Sequence, residues 1–180
     1  IHPLIQTVTE AAHDYYFKRI ESSDKVIDIG ASIGGFTIPA AKRCQSVLAI
    51  EPITPNLLKE NVLLNKLSNI AVQDYALGDG NDVVIEWFGI TKKLKSKTLR
   101  QIIDDAGGCD FLKIDCEGFE WMIDFYDLKG VRVVEMEVHD IGYPIDIISS
   151  RLMKEGFEVE LGKPHRFSPN RRVRTWIIHG

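Results

Sequence analysis

The sequence predicts a doubly wound, Rossmann-like α/β fold, with a mostly parallel sheet of about seven strands, helices on both faces and an antiparallel hairpin at its C-terminal end. Three observations predict it. Short apolar runs such as VIDI, SVLAI and DFLKI recur along the chain, and segments of helical period or with helix-capping residues separate them. Only a basic loop stands between the last two strand-like runs, FEVEL and VRTWII, so these can pair only antiparallel. With 44% of its 180 residues hydrophobic and 27% charged, the chain suits one domain with a packed core, expected as an N-terminal helix over residues 1–23 and a core over 24–180.

The elements follow in order. Residues 4–20 place Leu4, Val8, Ala11, Ala12 and Tyr15 on one helical face. VIDI at 26–29 reads as a buried strand, followed by the turn GASIGG and a helix over about 35–44, which admits Pro39 only in its first turn. SVLAIE at 46–51 is the second strand, and Thr54 followed by Pro55 starts a helix through NLLKENVLLNKL. NIAVQ at 69–73 is the third strand, and residues 83–97 alternate weakly around Gly89 as a hairpin would. Thr98 and Gln101 form a capping box ahead of LRQIIDDA, which Gly107 and Gly108 end. DFLKID at 110–115 and VRVVEMEV at 131–138 are the fourth and fifth strands, and Pro144 opens a helix that stops at Gly156.

Composition narrows the function classes. No stretch approaches the roughly 18 uncharged apolar residues of a membrane helix, and the N-terminus lacks the basic start and apolar middle of a signal peptide. Three cysteines without CxxC spacing indicate neither a disulfide framework nor a zinc knuckle, so a reducing cytoplasm is expected. The net charge of -4 hides two acid-free basic runs, TKKLKSKTLR at 91–100 and residues 161–180, which carry Lys163, Arg166, Arg171, Arg172 and Arg174. Such runs are solvated loops in the simplest reading, and in the functional one they face an anionic ligand.

In a doubly wound sheet, ligands lie beyond the carboxyl ends of the strands. There the sequence places Asp28 and GASIGG after the first strand, Glu51 after the second, and Asp74 and Tyr75 after the third. Asp115, Cys116 and Glu117 follow the fourth, and Glu137 and His139 the fifth. A pyrophosphate seeks free N–H groups and no neighbouring anion, so Asp28 argues against a dinucleotide. S-adenosylmethionine carries an amino group and a sulfonium, which an acid at this edge favours. Gly30, Ser32 and Gly34 then form its turn, Glu51 accepts the ribose hydroxyls, and Asp74 or Tyr75 flanks the adenine.

The blocks VIDIGASIGGFT, EPITPNLLKENVLLN, YALGDG, DFLKIDCEGFE and EVH at 137–139 resemble those of the FkbM family of S-adenosylmethionine-dependent class I methyltransferases. The similarity spans roughly residues 26–157, and LKIDCEGFE is its most specific part. This resemblance implies a seven-stranded methyltransferase fold and O-methylation of a hydroxyl on a sugar or other small molecule. Asp115, Glu117 and His139 are the expected proton acceptors, and the chain's carboxyl-terminal basic loop suits an anionic acceptor. Simpler roles stand beside these: Glu117 and Glu120 as helix caps, His139 as a strand-end histidine, Cys116 as packing. No metal is assigned, because the DCE spacing matches no specific ligand pattern.

Two alternatives come from other classes. VIDIGASIGGFTIPAAK and KENVLLNKL also resemble archaeal-type tRNA guanine methyltransferases, so the acceptor could be RNA met by the basic runs. Against that, an acidic remainder repels a polyanion, and 180 residues leave little room for a separate RNA-binding domain. The third reading is a nucleotide-binding module without catalysis, whose acid cluster is structural.

Overall fold

The structure is a computed structural model describing residues 15–87, 89–139, 141–162, 165–166 and 174–179. Its elements in chain order are β1 (Lys25–Ile29), α1 (Thr37–Ala41), β2 (Ser46–Ile50), α2 (Pro55–Leu64), β3 (Ile70–Gln73), β4 (Ala76–Leu77), β5 (Asp82–Trp87) and β6 (Ile90–Lys97). They continue with α3 (Leu99–Asp105), β7 (Phe111–Ile114), β8 (Val133–His139), α4 (Asp146–Lys154), β9 (Glu160–Leu161), β10 (His165–Arg166) and β11 (Arg174–His179). Strands β3, β2, β1, β7 and β8 lie side by side and parallel, and β11 adds antiparallel to β8. β9 and β10 both pair antiparallel with β11, so the expected C-terminal hairpin forms. Among the described residues no helix is long and apolar enough to cross a membrane.

Alternation along the strands sends side chains into two cores, which is why the central runs are apolar almost throughout. Ile27, Ile29, Leu112, Ile114, Val134 and Met136 pack with Leu99 and Ile102 of α3 and Ile148 and Leu152 of α4. On the other face Val26, Val47, Ala49, Phe111 and Val133 pack with Ala40 of α1, Leu58 of α2, Tyr15, Ile20 and Phe36. Phe36 stacks between Phe17 and Phe111, with centroids 5.1 and 5.8 Å away.

Local signals hold with small shifts. Thr98 and Gln101 close their capping box, and Gly107 and Gly108 follow α3 with positive φ. Pro55 takes the first position of α2, but the Thr54 side chain makes no cap bond; its backbone N–H donates instead to Glu51. The helix expected over 35–44 is shorter, and residues 82–97 form the hairpin β5–β6, whose partner β4 runs parallel to β6. The helix expected over 4–20 lies outside the described residues up to 14. From Tyr15 the chain makes only a 3₁₀ turn, Phe17–Arg19, and Tyr15 packs with Phe36 and Phe111 in the core of that face. Residues 163–164 and 167–173 of the basic loop also lie outside the described set.

Two glycines test how tightly the turn after β1 is packed. A Cβ on Gly30, at φ +79°, would stand 1.7 Å from the Asp115 carbonyl oxygen, whereas one on Gly130, at φ +93°, would meet nothing within 4 Å. Gly30→Ala is therefore expected to cost about 3–5 kcal/mol and Gly130→Ala only about 1–2 kcal/mol. Urea unfolding of both variants measures the difference, and equal losses would show that the turn and β7 are not in close contact.

Candidate active site

The turn after β1 is held from below before any ligand is considered. Gly30 and Ala31 donate to the Ile50 carbonyl at 2.9 and 3.1 Å, so the turn is stitched to β2. Gly30, Ser32 and Gly34 all have positive φ, at +79°, +48° and +97°. Gly34 lacks a side chain because a Cβ there would reach 2.9 Å from Leu58 of α2. Ser32 places its hydroxyl in a buried position without a hydrogen-bond partner, the kind of orphaned polar group a bound ligand satisfies.

Glu51, 5% exposed, closes the adjoining strand end. One carboxylate oxygen accepts from Ser32 N at 2.7 Å, and the other from Ile53 N and Thr54 N, each at 2.7 Å. Glu51 thus orders the turn and the start of α2 together. Of the pair expected at the adenine, Asp74 is exposed at the rim, but Tyr75 is turned into the core and donates to Asp105 at 3.0 Å. Burial and the Asp105 charge push the Tyr75 hydroxyl well above its ordinary range. That expectation is corrected: the aromatic ring serves the α3 interface, since the chain pleats inward directly after Asp74.

Asp28 is corrected too. It is fully buried, accepts a hydrogen bond from Thr37 Oγ1, and faces Lys113 Nζ at 3.1 Å. It is therefore a partner of an internal cation rather than an acid presented to a ligand. Lys113, opposite Asp28 in the β1–β7 register, is 3% exposed. Its ammonium also donates to the Gly30 carbonyl at 2.9 Å and lies 3.6 Å from Asp115 Oδ2. Burial works against that charge, but Asp28 and Asp115 more than offset it and hold the ammonium protonated above the ordinary lysine range.

The three expected proton acceptors do meet, at the ends of β7 and β8. Asp115, with 28% of its side chain exposed, accepts from the Tyr15 hydroxyl at 3.5 Å. His139 Nε2 lies 3.4 Å from Glu117 Oε2, and Glu117 itself has φ +57° and a side chain 60% exposed. His139 Nδ1 lies 3.0 Å from Glu120 Oε1, which also accepts from the His139 backbone N–H. Glu120 is fully buried and its other oxygen accepts from Gly118 N, so it caps that turn and orients the imidazole at once. Burial alone would lower the His139 pKa, but the Glu120 hydrogen bond and the Glu120, Glu117 and Asp115 charges raise it to about 9. The raised pKa favours the imidazolium and works against the expected role of His139 as a base.

Donor atoms of Asp115, Glu137 and His139 lie within 4.8 Å of one another. A divalent cation could use such donors, and the Lys113 ammonium already lies 3.6 Å from Asp115 Oδ2. The Cys116 thiol, partly buried and beside Glu120 and Asp115, is held well above its usual pKa by desolvation and those charges, in keeping with a packing role. Sequence reasoning missed Lys113, and it gave Glu120 only a capping role and Tyr15 only a place on a helical face. A lysine inside the apolar run FLKI was the available signal, because a buried strand holds a cation only where it is paired.

The chain matches the TRM5/TYW2 methyltransferase domain over residues 11–107. It is 28% identical over 142 residues to the tRNA (guanine(37)-N(1))-methyltransferase Trm5b of Pyrococcus abyssi, covering 77% of this chain and 42% of that protein. The solved FkbM methyltransferase of Methylobacillus flagellatus has a TM-score of 0.61 at 23% identity, covering 90% of this chain and 44% of the other. TYW2 of M. jannaschii, solved in complex with AdoMet, has a TM-score of 0.56 at 21% identity, covering 99% and 75%. The chain spans about half the length, or less, of the curated relatives it matches. The family expectation is refined accordingly: FkbM proteins are neighbours in fold, and the sequence match runs to TRM5/TYW2 through the cofactor half.

The His139 environment makes stability depend on pH. The folded chain keeps this proton to about pH 9, while the unfolded chain releases it near 6.5. Its contribution, about 3 kcal/mol, is complete below pH 6.5 and is lost as the pH rises through 9. Urea unfolding between pH 6 and 9.5 is expected to show that decline in the parent and a much flatter profile in His139→Gln; parallel profiles would refute the assignment.

Proposed function

The chain belongs to the TRM5/TYW2 methyltransferase family, and from that premise we propose that it transfers the methyl group of S-adenosylmethionine to a nucleoside of RNA, tRNA being the class named for its relative Trm5b. The observation that carries the transferase reading is the contact between the two halves of the site: Gly30 of the cofactor turn lies directly against the backbone of Asp115. When bound, S-adenosylmethionine supplies a methyl carbon made electrophilic by the sulfonium. Ser32 and Glu51 are the residues to receive its polar groups, with Asp74 at the exposed end.

The protein's part is positioning and proton transfer. Holding the acceptor atom about 3 Å from the methyl carbon and in line with the leaving sulfur supplies up to roughly 7–11 kcal/mol in well-oriented cases. Asp115 takes the acceptor proton, a contribution of about two to four orders of magnitude. Glu117 lies beside His139 Nε2 at 3.4 Å, and the two side chains are the ones to face the acceptor.

A second reading, a small hydroxylated acceptor, is favoured by charge. Lys93 and Lys95 pair with Asp82, Lys97 with Asp105, and Lys92 donates to the Pro52 carbonyl, so much of the basic run at 91–100 has partners inside the fold. Exposed pairs of this kind are worth about 0–1 kcal/mol, so phosphates could exchange for them.

The readings separate in one assay with methyl-labelled S-adenosylmethionine. Label is expected in unmodified tRNA and, after digestion, in one nucleoside; label only in small hydroxylated molecules would overturn the RNA reading. Cofactor binding without transfer to any acceptor would overturn the enzyme reading. Asp115→Asn is expected to lower kcat by about 10²–10⁴ with cofactor affinity little changed, whereas Glu51→Ala weakens cofactor binding at least about tenfold. A chelator is expected to leave the rate unchanged.

A further inference from the structure

Lys113 stands in the middle strand of the sheet, in register with Asp28 on β1 and Glu135 on β8, and is almost completely buried. Its Nζ reaches three separate parts of the site: Asp28 Oδ1 at 3.1 Å, the Gly30 carbonyl at 2.9 Å and Asp115 Oδ2 at 3.6 Å. The Tyr15 ring covers the ammonium from 5.5 Å, and the Tyr15 hydroxyl touches the same Asp115 oxygen. Asp28 cannot swing away, because Thr37 holds its other oxygen. The ammonium is therefore a fixed point to which the first carbonyl of the cofactor turn and the acceptor-side carboxylate are both referred.

We propose that Lys113 is a positioning residue that sets the cofactor turn and Asp115 in fixed relation. The proposal rests on the reading of Asp115 as proton acceptor, and it adds a residue that touches neither substrate.

Lys113→Met alone leaves Asp28 buried without its cation and is expected to fold poorly. The balanced variant Asp28→Asn/Lys113→Met removes both charges and keeps a hydrogen-bonding group for Thr37. It is expected to melt cooperatively, to bind S-adenosylmethionine about tenfold or more weakly by calorimetry, and to lose about a hundredfold or more in kcat at saturating substrates. Adding Asp115→Asn should cost less than about tenfold further, against the far larger loss in the parent, because residues that act through one another are not additive. A role confined to stability would leave the Asp115→Asn effect equal in both backgrounds, and that result overturns the proposal.

If the parent binds cofactor but methylates nothing, the reading of Asp115 falls. Unchanged cofactor affinity in the folded variant then overturns the turn half of the proposal as well. A readout without substitution covers a variant that does not fold. The ¹⁵N resonance of Lys113 Nζ in the parent is expected to move on cofactor binding; a resonance that stays put contradicts the linkage.

Discussion

The structure depends on one buried ammonium. A lysine in the middle strand of a parallel sheet, covered on both faces, loses most of its hydration, and only charges and hydrogen bonds of good geometry restore what it gives up. Lys113 finds them in Asp28, the Gly30 carbonyl and Asp115. Taking one partner from a buried pair costs about 3–5 kcal/mol, as much as a large core truncation. The contact ties β1, the turn after it and the end of β7 together, so that Gly30 can approach Asp115 as closely as only glycine allows.

From that point the site divides in two. The cofactor half, from β1 through α3, is ordered by Glu51, which gathers the amides of Ser32, Ile53 and Thr54. This is also the half that matches the TRM5/TYW2 domain. The acceptor half, at the ends of β7 and β8, gathers carboxylates that would repel one another if left alone. Lys113 beneath Asp115 places a cation among them, and the His139 imidazole bridges Glu120 and Glu117. The proposed role of Asp115 as proton acceptor rests on this arrangement, in which the neighbouring carboxylates raise the His139 pKa.

Much of this was legible in the residues. Short apolar runs gave the parallel strands, Thr98 and Gln101 gave the start of α3, and the pattern of strand ends gave Glu51 beside the turn after β1 and the group of Asp115, Glu117 and His139. What escaped was pairing across strands. Asp28 reads as an acid at a strand end, and only the register that sets it opposite Lys113 shows that its charge is used internally. The direction of Tyr75 depends on Asp105, thirty residues away. The protonation of His139 depends on Glu120, which local sequence marks only as a helix cap. Each miss is a long-range polar contact, and one-dimensional patterns carry no register between strands.

A crystal structure with S-adenosylmethionine bound tests the central claim most directly. The account predicts the cofactor over the Gly30–Gly34 turn with its ribose at Glu51, and the Lys113 ammonium still bonded to the Gly30 carbonyl and Asp28, with Asp115 beside the methyl. A cofactor seated elsewhere, or a Lys113 side chain released from Gly30 and Asp28 when it binds, would contradict it.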